Sequence, residues 1–118
     1  MVVFVHGVPE THHLWNGVRE ALGRNDTIAV ACPGFGTPRP AGFAATKEAY
    51  VDWLVAELEK IGEPVDLVGH DWGGAFTLRI ASIRPDLFAL VGERRRRPRR
   101  RQLRVARVRQ DLADTRSR

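Results

Sequence analysis

Apolar residues along this chain follow two alternating patterns: short unbroken runs, and longer stretches in which they recur at helical spacing. The run inside MVVFVHG (1–7) is rich in β-branched residues and ends at glycine, the pattern of a strand buried on both faces. TIAVACPG (27–34) and PVDLVGH (64–70) repeat it, and LFALVG (87–92) is a weaker fourth run because only Val91 in it is β-branched. Between the first two runs Leu14, Trp15, Val18 and Leu22 fall at helical spacing, with Gly23 as the stop. Between the second and third, Tyr50, Trp53, Leu54, Leu58 and Ile61 form a cleaner stripe, with Thr46 as N-cap and Gly62 as C-terminal stop. Residues 73–84 make a third helix ended by Pro85, whose ring disfavours helical geometry in the residue before it. The order β-α-β-α-β-α-β predicts the α/β class, with about four strands in a parallel sheet joined by right-handed crossovers and the helix aromatics in the core.

Charge divides the chain in two. The net +5 over 118 residues hides a first part, 1–93, that carries −5 and a last part, 94–118, that carries +10 from twelve arginines and two aspartates. Residues 1–92 are therefore read as a partial α/β core and 93–118 as an Arg-rich tail, irregular or loosely helical because like charges at that density repel. The tail has two readings. One is an electrostatic arm for nucleic acid or an anionic surface, with Val105, Val108 and Leu112 on one helical face. The other, favoured because every basic residue in it is Arg and because the change falls inside a strand, is a peptide read from a shifted frame. On that reading nucleic acid is not expected as a partner.

The single cysteine, Cys32, excludes an internal disulfide and reads as a small buried apolar residue. The apolar run after Met1 has no basic residues before it and falls far short of the roughly 20 residues a membrane span requires. Neither a secretory signal nor a span is expected, and the expected location is cytoplasmic.

In open parallel sheets, ligands sit at the carboxyl ends of the strands. Three loops lie there: His6-Gly7-Val8-Pro9-Glu10, Pro33-Gly34-Phe35-Gly36, and Gly69-His70-Asp71-Trp72-Gly73-Gly74. The third fits G-x-nucleophile-x-G, a sharp turn from strand to helix that strains the central residue and lifts its side chain into the site. Side chains at 69 and 73 would crowd that turn, and Gly74 lets the new helix pack close to its strand. The helix begins just past Asp71, so the backbone N–H of Trp72 points into the site as half of an oxyanion hole. The N–H of Val8, after His6-Gly7, can supply the other half.

FVHGVPE, PGFG and VGHDWGG, in that order and at these intervals, resemble the α/β-hydrolase fold in its aspartate-nucleophile branch, that of epoxide hydrolases and haloalkane dehalogenases. The resemblance covers residues 1 to about 92 and implies an N-terminal fragment of that fold. It places the first three visible strands as the family's third, fourth and fifth. It also implies that Asp71 attacks an alkyl carbon of a small epoxide or alkyl halide to leave an ester, without cofactor or metal. Hydrolysis of that ester would use the oxyanion hole at Val8 and Trp72. The Trp72 indole could also hold a departing halide, but the asparagine that usually assists it in the dehalogenases is Val8 here, which tilts the reading toward epoxide hydrolase.

In that family an acid and then a histidine follow the nucleophile. The histidines here are His6, His12, His13 and His70, none of them after Asp71, and Asp86, Glu93, Asp111 and Asp114 stand in no recognisable context for the acid. His6 and His70 are expected to shape their loops through ring hydrogen bonds, and His12 and His13 to be exposed at a helix start. The chain is accordingly expected to lack turnover.

Overall fold

A computed structural model describes residues 1–95 and 102–106. The elements in chain order are β1 (Val2–Val5), a 3₁₀ turn (His12–Trp15) running into α1 (Asn16–Leu22), β2 (Thr27–Val30), α2 (Lys47–Ile61), β3 (Val65–His70), α3 (Trp72–Ile83), a second 3₁₀ turn (Pro85–Leu87), β4 (Phe88–Arg95) and β5 (Gln102–Ala106). The sheet order is β2-β1-β3-β4-β5. The first four strands are parallel, and β5 runs antiparallel to β4.

β1 is interior to the sheet because it is apolar on both faces. Val3 and Val5 pack with Leu54, Leu58, Leu67 and Ile80, while Val2 and Phe4 face the other way onto Trp15. The helix ends follow their residues. Thr46 accepts a hydrogen bond from the Ala49 N–H at 3.1 Å, and Gly23 (φ 62°) and Gly62 (φ 77°) close α1 and α2 in the left-handed conformation.

α1 departs from the expected packing. Of its stripe only Trp15 is buried, and Leu14, Val18 and Leu22 remain 37–48% exposed. Spacing fixes which side of the helix is apolar, but none of the described elements lies over that side. At the other edge, β4 continues through Glu93 to Arg95, and Gln102–Ala106 returns along it as a strand. Over those five residues the backbone pairs with the free edge of β4 instead of adopting the loose helix expected for the tail. Residues 96–101 and 107–118, and with them the rest of the expectation for the tail, lie outside the described residues. Among the described residues, no helix is long and apolar enough to cross a membrane.

Candidate active site

β3 ends at His70 and α3 begins at Trp72, so Asp71 alone makes the turn, at φ 55° and ψ −123°. A non-glycine residue in such a conformation costs on the order of 1–3 kcal/mol and persists only where its surroundings impose it. The imposing contacts involve glycines. A Cβ on Gly69 would lie 2.5 Å from the Gly73 carbonyl oxygen and 2.6 Å from the Gly74 Cα. A Cβ on Gly73 would press on the carbonyl oxygens of Val5 and His6, 2.5 Å from the latter. The end of β1 thus sits directly on the first turn of α3.

The same closeness brings the loop after β1 onto Asp71. A Cβ on Gly7 would stand 2.5 Å from the Asp71 Cβ, so only glycine lets the loop pass there. The next residue, Val8, donates its N–H to Asp71 Oδ2 at 3.2 Å. Trp72, whose backbone N–H was expected to share that role, is the first residue of α3, and its ring is half-exposed against Phe76 at 6.0 Å.

Glu10 ties the two loops together. Gly7 donates its N–H to Glu10 Oε2 at 3.2 Å, and Glu10 Oε1 lies 3.2 Å from His70 Nε2. One largely buried carboxylate therefore links the loop after β1 to the last residue of β3. Sequence reasoning placed Glu10 in a loop and assigned it no function, since its partners are far apart in the chain. Glu10→Ala leaves the Gly7 N–H and the His70 ring without this partner, and is expected to cost about 2 kcal/mol, as for a hydrogen bond to a charged group, read as a lower urea midpoint.

His6 is almost fully buried and uses both ring nitrogens. The Cys32 N–H donates to its Nε2 at 2.9 Å, so the ring proton is on Nδ1 and goes to the Gly7 carbonyl at 2.8 Å. Burial lowers its pKa from the ordinary 6.5 more than the Gly7 carbonyl raises it. The unfolded chain therefore takes up a proton near pH 6.5 that the folded protein accepts only at lower pH. Stability is full above that pH and falls as acid is added below it. Urea midpoints at about pH 7.5 and 5.5 are expected to differ less in His6→Asn than in the unmodified chain. Burial also pushes the neighbouring Cys32 thiol up to about 12, which leaves it inert.

The loop after β2 is anchored by the Tyr50 hydroxyl, which donates to the Pro33 carbonyl at 2.7 Å. Its Gly36 (φ 74°) packs on the start of the first 3₁₀ turn, where a Cβ would stand 3.2 Å from the Thr11 Cβ and 3.7 Å from His12 Nδ1. His13 is exposed as expected, but His12 is half-buried, and its Nδ1 is shut from solvent and bonded to no protein group. Beside Trp72 a groove of about 530 Å³ opens between α2 and α3, with Val51, Ala75, Phe76 and Arg79 along it. Among the described residues, no cluster of three or more His, Cys, Asp and Glu is placed to hold a metal ion.

Three of the strand ends thus carry a turn with Asp71 at its apex, a glycine loop whose N–H meets its carboxylate, and a third loop packed beside them. The alpha/beta hydrolase family matches residues 2–117 of the chain. Lipase LipV of Mycobacterium tuberculosis is 35% identical over 93 residues, 76% of this chain and 34% of its own length. Epoxide hydrolase 2 of Siraitia grosvenorii is 35% identical over 92 residues, 72% of this chain and 28% of its own. Among solved structures, the haloalkane dehalogenase DatA of Agrobacterium tumefaciens C58 superposes with a TM-score of 0.70 at 31% identity, covering 78% of this chain and 32% of that one. The chain spans about a third or less of the length of these relatives. It belongs to the alpha/beta hydrolase family and is related within it to epoxide hydrolases and haloalkane dehalogenases.

Proposed function

We propose that Asp71 is a nucleophile for alkyl carbon, and that the chain captures small epoxides as an ester on that residue. The observation that carries this reading is the geometry of Asp71: a strained apex between strand and helix, with its carboxylate accepting the Val8 N–H at 3.2 Å. A carboxylate is a weak reagent toward acyl carbon but displaces well at alkyl carbon. It attacks one epoxide carbon, the C–O bond breaks, and the alkoxide takes a proton from water to give a hydroxyalkyl ester. The N–H groups of Val8 and Trp72 then face the ester carbonyl, where charge develops when water attacks it. His6 and Gly7 act by holding that loop in place.

A dehalogenase-like variant of this chemistry has one observation in its favour, the half-exposed Trp72 indole next to Asp71. Val8, with no side-chain amide to assist it, favours the epoxide. Incubation of the chain with styrene oxide or 1-bromobutane, followed by intact-protein mass spectrometry, separates the two. The expected adduct carries the whole mass of the epoxide and is absent from Asp71→Ala. A butyl adduct alone would support the halide reading, and an epoxide adduct that survives Asp71→Ala would contradict both.

A further inference from the structure

The run of arginines that follows Glu93 begins inside β4, and the sheet fixes where the first of them stand. β3 and β4 are parallel, with Gly69 opposite Glu93 and His70, the last residue of β3, opposite Arg94. Asp71 then turns away into α3, while β4 continues one residue further to Arg95. Neighbouring strands lie about 4.8 Å apart, so the backbone of Arg94 and Arg95 runs beside the turn that carries Asp71. On its other side β4 pairs with β5, which sets Arg104 opposite Glu93, Leu103 opposite Arg94 and Gln102 opposite Arg95. Register thus gives Glu93 a cation across the ladder, and gives Arg94 and Arg95 no acid at their paired positions.

The site beside them is acidic. Asp71 is the proposed nucleophile, and the Glu10 carboxylate lies between the Gly7 N–H and the His70 ring. An anionic substrate that approaches two carboxylates is repelled unless cations stand nearby. Arginine is suited to supply them, because its guanidinium stays charged and its planar fork matches a carboxylate.

We propose that the site prefers small epoxides that carry an anionic group, a carboxylate such as that of glycidate, with Arg94 and Arg95 at the end of β4 supplying the counter-charge. The inference takes Asp71 as the nucleophile of the same site. Asp71 bonds to the terminal epoxide carbon, the bond from that carbon to oxygen breaks, and the alkoxide takes a proton from water. The carboxylate of the substrate is unchanged throughout.

The test compares glycidate with glycidamide, which has a neutral amide in place of the carboxylate. Rates of capture at Asp71 are followed by intact-protein mass spectrometry in three chains: the unmodified one, Arg94→Gln/Arg95→Gln, and Arg24→Gln/Lys60→Gln. The last loses the same charge at the amino end of the sheet, where Arg24 precedes β2 and Lys60 closes α2. The change at Arg94 and Arg95 is expected to lower the ratio of glycidate to glycidamide capture about 10-fold, the lower end of what a hydrogen bond to a charged group is worth, and the control to leave it unchanged. The arginines after Arg95 are the same in all three chains, so any long-range attraction they exert is common to them. An equal fall for both reagents would show that the pair serves the fold alone, and an unchanged ratio would show that it holds no anion; either result overturns the inference. Binding is read apart from capture by saturation-transfer NMR of glycidate on Asp71→Asn, where the signal is expected to weaken when Arg94 and Arg95 are also replaced by glutamine. If neither reagent is captured at Asp71 while that difference persists, the nucleophile is overturned and the anion site stands.

Discussion

Gly73→Ala is expected to lower the stability of the folded chain by about 3 kcal/mol, the upper end of overpacking costs. That corresponds to a fall of about 10–20 °C in Tm for a domain of this size. The new methyl group would meet backbone on both sides, the carbonyl oxygens of Val5 and His6, neither of which is the flexible end of a side chain. Relief requires β1 and α3 to separate, and that separation also draws the loop carrying Val8 away from Asp71. Gly17→Ala is the matching control. A Cβ there has nothing within 4 Å, and Gly17 lies inside α1, so alanine is expected to add about 0.5–1 kcal/mol through helix propensity. Thermal unfolding of the two variants should therefore move in opposite directions. Equal and small shifts would mean that β1 and α3 are not in the contact described.

Asp71→Gly is expected to stabilise the fold by about 1 kcal/mol while abolishing capture of the epoxide. At φ 55° and ψ −123° an L residue bears on the order of 1–3 kcal/mol of strain that glycine largely escapes. Against that gain stands the lost hydrogen bond from Val8, worth about 1 kcal/mol and solvent-exposed. A side chain that destabilises its own fold is best explained by what it does, which is why stability and capture should separate in this variant. A fall in the urea midpoint for Asp71→Gly would show instead that the carboxylate serves mainly to hold the loop.

Much of the frame was legible in the sequence, for identifiable reasons. β1 announced itself because a continuous, largely β-branched apolar run has few alternatives once both faces are buried. Thr46, Gly23 and Gly62 marked helix ends through local chemistry that survives in the fold. Gly69 and Gly73 were expected to make room at the turn, and each is hemmed in by backbone. What was not legible depends on which elements come to lie side by side. Leu14, Val18 and Leu22 have the spacing of a core stripe, but periodicity is silent on whether anything covers it. Glu10 has no local signature, because Gly7 is bonded to it within a turn and His70 reaches it only through the pairing of β1 with β3. His12 and His13 are indistinguishable as adjacent residues at a helix start, and contact with the loop at Gly36 sets them apart. In the tail, charge density argued against order, whereas the open edge of β4 receives Gln102–Ala106 as a strand.

The measurement that bears most directly on the whole account is the position of the adduct among the 14 Asp and Glu side chains of the chain. After brief exposure to a limiting amount of styrene oxide, peptide mapping by tandem mass spectrometry is carried out on the folded chain and on the same chain in urea. If the turn between β3 and α3 makes Asp71 a nucleophile, the folded chain is modified at Asp71 alone, and unfolding abolishes that preference. Modification spread over many carboxylates, or an identical pattern with and without urea, would contradict it.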